Sequence, residues 1–162
     1  MQRNNCTGIV LIVALNPEGR LILNEQYRVP VGKAVIEFPA GLVNDEGQSE
    51  TPAEAARREL LEETGYQASK MVELIHGPVS SGSSSDMIFI YQAMGLKKRG
   101  RGGGDSNESI KVHEVALDQV PRWLKKMQAA GRLVDPKVYA GIYLLEKKSK
   151  TNRGTADKRA RP

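Results

Sequence analysis

Three observations predict an α+β fold. Short runs rich in Val, Ile and Leu recur along the chain, one helix with strong start and stop signals lies between them, and two amphipathic helices close the sequence. The 162 residues suit one domain with a core of its own, and 40% apolar residues with no apolar run near about 18 residues predict a soluble protein without a membrane span. The expected organisation is one domain over residues 1–147 and a basic disordered tail over 148–162.

The elements follow in order. MQRNNCTGIVLIVAL carries a short apolar stretch, Gly8 to Leu15, with no small-residue cleavage site after it, so it reads as a first strand and not a signal peptide. Asn16-Pro17-Glu18-Gly19 is a turn and Arg20 to Glu25 resumes as a strand, which predicts a hairpin. Thr51 then serves as N-cap of a helix with Pro52 at its first position, Glu54 as capping-box partner and Gly65 as left-handed stop. Lys70 to His76 and Met87 to Ala93 read as strands, the second central because its apolar run is unbroken. Ser109 to Val115 is a further strand. Leu117 to Ala130 turns Val120, Trp123, Leu124 and Met127 to one face, and Pro136 to Lys147 does the same with Val138, Ile142 and Leu145.

Cys6 is the only cysteine, which excludes an internal disulfide and predicts a cytoplasmic address. The net charge of +5 is unevenly placed: residues 147–162 hold seven Lys/Arg against one Asp, and residues 97–101 hold four Lys/Arg, so the rest of the chain is net acidic. Basicity confined to a tail and to the glycine-rich stretch KKRGRGGGDSN, both expected to be mobile, argues against an organised nucleic-acid groove.

The informative stretch is the helix. At about 100° per residue Glu59, Glu62 and Glu63 fall in one arc beside the apolar stripe Ala53, Ala56, Leu60, so one helix docks on a core and carries three carboxylates at its edge. Like charges at that spacing repel by a few tenths of a kcal/mol per pair, and a hard cation such as Mg²⁺ or Mn²⁺ neutralises them through carboxylate oxygens. A plain solvated acidic face is the competing reading. Only two histidines, His76 and His113, are present, too few for a triad or a zinc cluster, and both are expected to be structural.

Arg58-Glu59-Leu60-Leu61-Glu62-Glu63-Thr64-Gly65-Tyr66, with Glu50 eight positions before Arg58, resembles the second half of the Nudix box, and Gly41 resembles its opening glycine with three extra residues in the loop. Glu25-Gln26-Tyr27-Arg28 followed by Ile36-Glu37-Phe38-Pro39-Ala40-Gly41 is similar to the ADP-ribose pyrophosphatase branch of that superfamily. The stretch Ser80-Ser81-Gly82-Ser83-Ser84-Ser85-Asp86 resembles a serine-proline-glycine motif of the branch with Ser81 in place of the proline.

The resemblance covers about residues 8–147 and implies a mixed β-sheet sandwiched between helices. It also implies an enzyme that cleaves the diphosphate of a nucleoside diphosphate sugar, ADP-ribose above all, with Mg²⁺ or Mn²⁺. Glu59, Glu63 and the carbonyl of Ala40 would ligate metal, Glu62 would bind or orient the metal cluster, and Arg58 would pair with Glu50. Arg28 would contact the substrate, Glu37 would lie beside the site, and Glu108 would act from a closing loop. An arginine suits the first of these roles because its planar fork matches phosphate oxygens. Many members carry an N-terminal extension exchanged between two protomers. This chain opens at its first strand, so a homodimer is expected only without that contribution. Two other function classes stand beside this one: a Nudix pyrophosphohydrolase acting on RNA 5′ ends or dinucleoside polyphosphates, and a catalytically silent nucleotide-binding module.

Overall fold

The computed structural model describes residues 8–44, 49–104 and 109–159, with side chains through Lys147. The described residues form two four-stranded sheets, one two-stranded pair and three α-helices. The first sheet has the order β4 (Ala40–Leu42), β1 (Ile9–Ala14), β7 (Met87–Met94), β6 (Lys70–Pro78), and it is mixed, since β1 and β7 are parallel and the outer pairs antiparallel. The second has the order β10 (Leu133–Val134), β3 (Lys33–Glu37), β2 (Arg20–Arg28), β9 (Ile110–Ala116), parallel only between β10 and β3. The short strands β5 (Tyr66–Gln67) and β8 (Lys97–Lys98) pair antiparallel by themselves.

Strand alternation assigns the two cores. On β1, Val10, Ile12 and Ala14 join Ile22, Tyr91, Ala93 and the Ala55, Ala56, Leu60 face of α1 (Pro52–Thr64). The intervening Leu11 and Val13 join Leu21, Leu23, Ile36 and Phe38 under α2 (Val120–Ala129) and α3 (Pro136–Arg159). Side chains that alternate faces at period two let one strand serve both sides, which is why β1 reads as an unbroken apolar run. Trp123 and Met127 pack on this second core, and β7 is an inner strand, both as expected.

The structure corrects the sequence reading in one place here. Residues 9–25 are not a hairpin within one sheet. The Asn16 turn closes, with Asn16 Oδ1 accepting from the amides of Glu18 and Arg20 at 3.0 and 2.8 Å, but only Leu15 and Leu21 pair across it before the strands enter different sheets. β1 and residues 21–24 of β2 are almost wholly buried on two faces, and separate sheets give each its own partners. The last helix, α3, runs to Arg159 and so takes in most of the basic stretch after Lys147. The Lys and Arg of this stretch are good helix formers, and Pro162 is its only proline, so no proline interrupts the helix.

Candidate active site

Helix α1 begins as its sequence dictates. Thr51 Oγ1 accepts from the amide of Glu54 at 3.3 Å, and Glu54 Oε2 accepts from the amide of Thr51 at 2.8 Å. Gly65, at φ 72°, ends the helix and donates its amide to the Leu61 carbonyl at 2.8 Å. Burial of Ala56 and Leu60 orients the helix, and because residues i and i+4 share a face, Glu59 and Glu63 are both aimed at the backbone of β4.

Glu63 is not at the edge of the helix, as expected, but only 3% exposed. Its Oε2 accepts from Asn24 Nδ2 at 2.9 Å and from the amide of Ala40 at 3.0 Å, so three elements meet on one carboxylate. Asn24 is itself buried, and its Oδ1 has no hydrogen-bond partner among the described residues. Glu59 lies against Gly41, where an added Cβ would stand 2.0 Å from the carboxyl carbon. A side chain there would displace the Glu59 carboxylate from β4. Glu62 is the exposed member, with a side chain 47% accessible.

Arg58 organises the remaining charge. Its Nη2 and Nε donate to Glu50 at 2.8 and 3.3 Å, its Nη1 donates to Glu59 at 2.8 Å and to Glu62 at 3.2 Å, and Nη2 also reaches the Leu42 carbonyl. The pairing of Arg58 with Glu50 expected from the resemblance is present, and it holds the Glu50 carboxyl below the ordinary carboxylate range. Asn44 and Glu50 exchange backbone-to-side-chain hydrogen bonds of 3.1 and 2.8 Å, pinning both ends of the lengthened loop. No group of three or more His, Cys, Asp or Glu among the described residues stands close enough together to hold a metal ion. The physical reason is Arg58, which draws Glu62 and one oxygen of Glu59 to itself while Glu63 is held by Asn24 and Ala40.

Arg28 and Glu37 form an ion pair of 2.7 Å between β2 and β3. They line a cavity of about 200 Å³ with Ala40, Asp135 and Lys137, and apolar walls from Phe38, Ile88 and Val79 complete it. Burial pushes the Glu37 carboxyl up, against the opposing pull of Arg28, and nearby Asp135 adds to the rise. Asp135 caps the start of α3, accepting from the amide of Lys137 at 2.8 Å, and pairs with Lys137 Nζ at 2.5 Å. The structure thus brings Arg28, Glu37 and Ala40 to one cavity and Ala40, Glu59 and Glu63 to one strand. Glu108 lies outside the described residues.

Asn24, Asp135 and Lys137 were missed by sequence reasoning. A polar residue inside the run Leu21-Ile22-Leu23-Asn24 is the signal that could have found the first, since a buried amide needs a partner. Asp135-Pro136 reads as a helix start and nothing in its spacing points to a cavity. The histidines are structural, as expected: His113 pairs with Glu25 at 2.8 Å and stacks on Trp123, and His76 pairs with Glu73 at 2.7 Å on an exposed strand. No described helix is long and apolar enough to cross a membrane.

Comparison with known proteins agrees with this geometry. A family model described as NUDIX domain matches residues 7–138. The methanol dehydrogenase activator of Bacillus methanolicus is 34% identical over 140 residues, covering 86% of this chain and 72% of that protein. The ADP-ribose pyrophosphatase of Bacillus subtilis (strain 168) is 30% identical over 145 residues, covering 87% and 73%. A solved structure described as an ADP compounds hydrolase has the same fold, with a TM-score of 0.73 at 24% identity over 94% of this chain and 77% of that one. A box helix docked on two sheets, its acidic face turned to β4, and a family match over most of the length together make this chain a member of the NUDIX family, a Nudix hydrolase of the ADP-ribose pyrophosphatase-like branch.

Proposed function

We propose that the chain hydrolyses the diphosphate bond of a nucleoside diphosphate sugar, with ADP-ribose as the first substrate and AMP and ribose 5-phosphate as products. The observation that carries this reading is the adjacency of two differently built sites. Ala40 belongs to both the Glu59 and Glu63 carboxylate cluster and the cavity lined by Arg28, Glu37, Asp135 and Lys137. A diphosphate lying across Ala40 would meet acidic ligands on one side and fixed cations on the other.

The donor chemistry suits a divalent cation once Arg58 releases Glu59 and Glu62. Every donor is a hard oxygen, the missing Cβ of Gly41 makes room for the Glu59 carboxylate, and the buried Oδ1 of Asn24 adds an acceptor that no described protein group satisfies. Glu59, Glu62, Glu63 and the Ala40 carbonyl would hold Mg²⁺ or Mn²⁺. Such a cation, when bound, neutralises the diphosphate charge and activates a water. Arg28 binds a phosphate oxygen through its guanidinium, Glu37 keeps that guanidinium oriented, and the apolar wall of Phe38 and Ile88 excludes water from the cavity. Glu108 is assigned by resemblance to a closing loop as a ligand or base.

Turnover of a panel with Mg²⁺ or Mn²⁺ tests this reading: ADP-ribose, other nucleotide sugars, dinucleoside polyphosphates, nucleoside triphosphates and 5′-triphosphate RNA. ADP-ribose or another nucleotide sugar is expected to show the highest kcat/KM. A preference for RNA ends or dinucleoside polyphosphates sinks the substrate assignment, and binding without turnover of any member sinks the enzymatic one.

A further inference from the structure

We propose that residues 98–104 are a positioning element for the reaction, a glycine clasp that sets where Glu62 and Glu63 stand. The expectation from sequence was a mobile loop. The structure instead winds its described part around the last turn of α1, and residues 105–107 lie outside the described residues.

An α-helix leaves its last four carbonyls without internal donors. Here the clasp supplies them. Gly103 donates its amide to the Glu63 carbonyl at 2.7 Å, and Gly104 donates to the Glu62 carbonyl at 3.3 Å. Lys98 Nζ donates to the Thr64 carbonyl at 2.8 Å, and the amides of Arg99 and Gly100 reach the Gly65 carbonyl at 2.8 and 3.2 Å. Each carbonyl from Glu62 to Gly65 is thereby taken by this one loop. A positive side chain there also suits the negative end of the helix dipole.

Only glycine permits the approach. A Cβ on Gly102, at φ +70°, would stand 2.4 Å from the Thr64 carbonyl carbon, and one on Gly65, at φ +72°, would stand 2.2 Å from the Gly100 oxygen. The clasp is anchored in turn: Lys98 lies 4.2 Å over the Tyr66 ring and 3.8 Å from Glu114, and Glu114 accepts from Tyr66 and from Asn16. The backbone of Glu63 is therefore held from behind by Gly103 while its carboxylate is held in front by Asn24 and Ala40. Ligand geometry tolerates errors of only about 0.5 Å, so a loop bound to the backbone of two acidic residues governs how well they serve together.

This inference rests on the reading that Glu62 and Glu63 hold a divalent cation. The experiment measures Mn²⁺ binding to the full chain without substrate, by the electron paramagnetic resonance signal of free Mn²⁺, together with thermal melting and KM for ADP-ribose at saturating metal. Gly102→Ala is expected to weaken Mn²⁺ binding about 10-fold or more, the scale seen when groups that orient metal ligands are altered, with KM for substrate little changed. Should Gly102→Ala not fold, Gly103→Ala carries the same test, because its Cβ meets nothing nearer than 3.9 Å and only the φ of +116° is strained. Gly77→Ala, where a Cβ meets nothing within 4 Å, is the control expected to bind as the wild type. A clasp variant that melts lower yet binds Mn²⁺ as tightly as the wild type overturns the inference and leaves the loop a plain helix cap. Glu63→Gln separates the two ideas: a large loss there with none in the clasp variants overturns the clasp alone, whereas wild-type Mn²⁺ binding by Glu63→Gln overturns the metal reading and the clasp with it.

Discussion

The two ends of α1 are closed in opposite ways. At the first turn, Thr51 and Glu54 satisfy each other's amides within four residues of sequence, and both side chains are exposed. At the last turn, the carbonyls of Glu62 to Gly65 are met by residues 98–104, and the Glu63 carboxylate is met by β2 and β4. A local cap stabilises the helix wherever the helix is put. A tertiary cap stabilises it only when several strands and a loop are in register, so the end that carries the proposed ligands Glu62 and Glu63 is the one held by the whole fold.

Substitutions should separate these ends. Glu63→Gln is expected to keep the fold and to lose about 10²-fold or more in turnover of ADP-ribose, since on the proposed function it removes a ligand of the reaction centre. Full activity in that variant would break the comparison at its chemical end. Arg28→Ala should act next most strongly and differently. Loss of a charged hydrogen bond made before the transition state raises KM about 10-fold or more, and steady-state kinetics showing only a fall in kcat would remove Arg28 from substrate binding.

The acid side of the stability profile probes the junction between the loop and the helix. The hydrogen bond from Arg58 holds Glu50 below the ordinary value of 4.5, so its contribution is present above that value and is lost as pH falls through the depressed folded value. Melting temperature should therefore drop below about pH 4.5, more steeply in the wild type than in Glu50→Gln. Identical acid slopes would show that this pair does not hold the loop. The smallest effect belongs to the local end. Thr51→Ala should lower stability by about 1 kcal/mol in denaturant unfolding and leave kcat and KM unchanged. A turnover defect there would mean that the first turn also shapes the site.

The sequence by itself determined the helix from Thr51 to Gly65, the carboxylates on one face of it, the apolar faces of α2 and α3 and the inner position of β7. Each depends on residues within about one or two turns, or on an apolar run, and such signals survive without knowledge of neighbours. Tertiary structure alone decided the rest. That β1 and β2 part into two sheets after the Asn16 turn depends on which distant strands are available to each, β4 and β7 for one, β3 and β9 for the other. That Glu63 is buried depends on Asn24, 39 positions away, and that Asp135 and Lys137 face Arg28 depends on where α3 starts relative to β3. The glycine-rich stretch reads as flexible because glycine adds conformational freedom to an isolated chain. In the fold the same lack of a side chain lets backbone meet backbone at the end of α1, and that contact is invisible until both partners are in place.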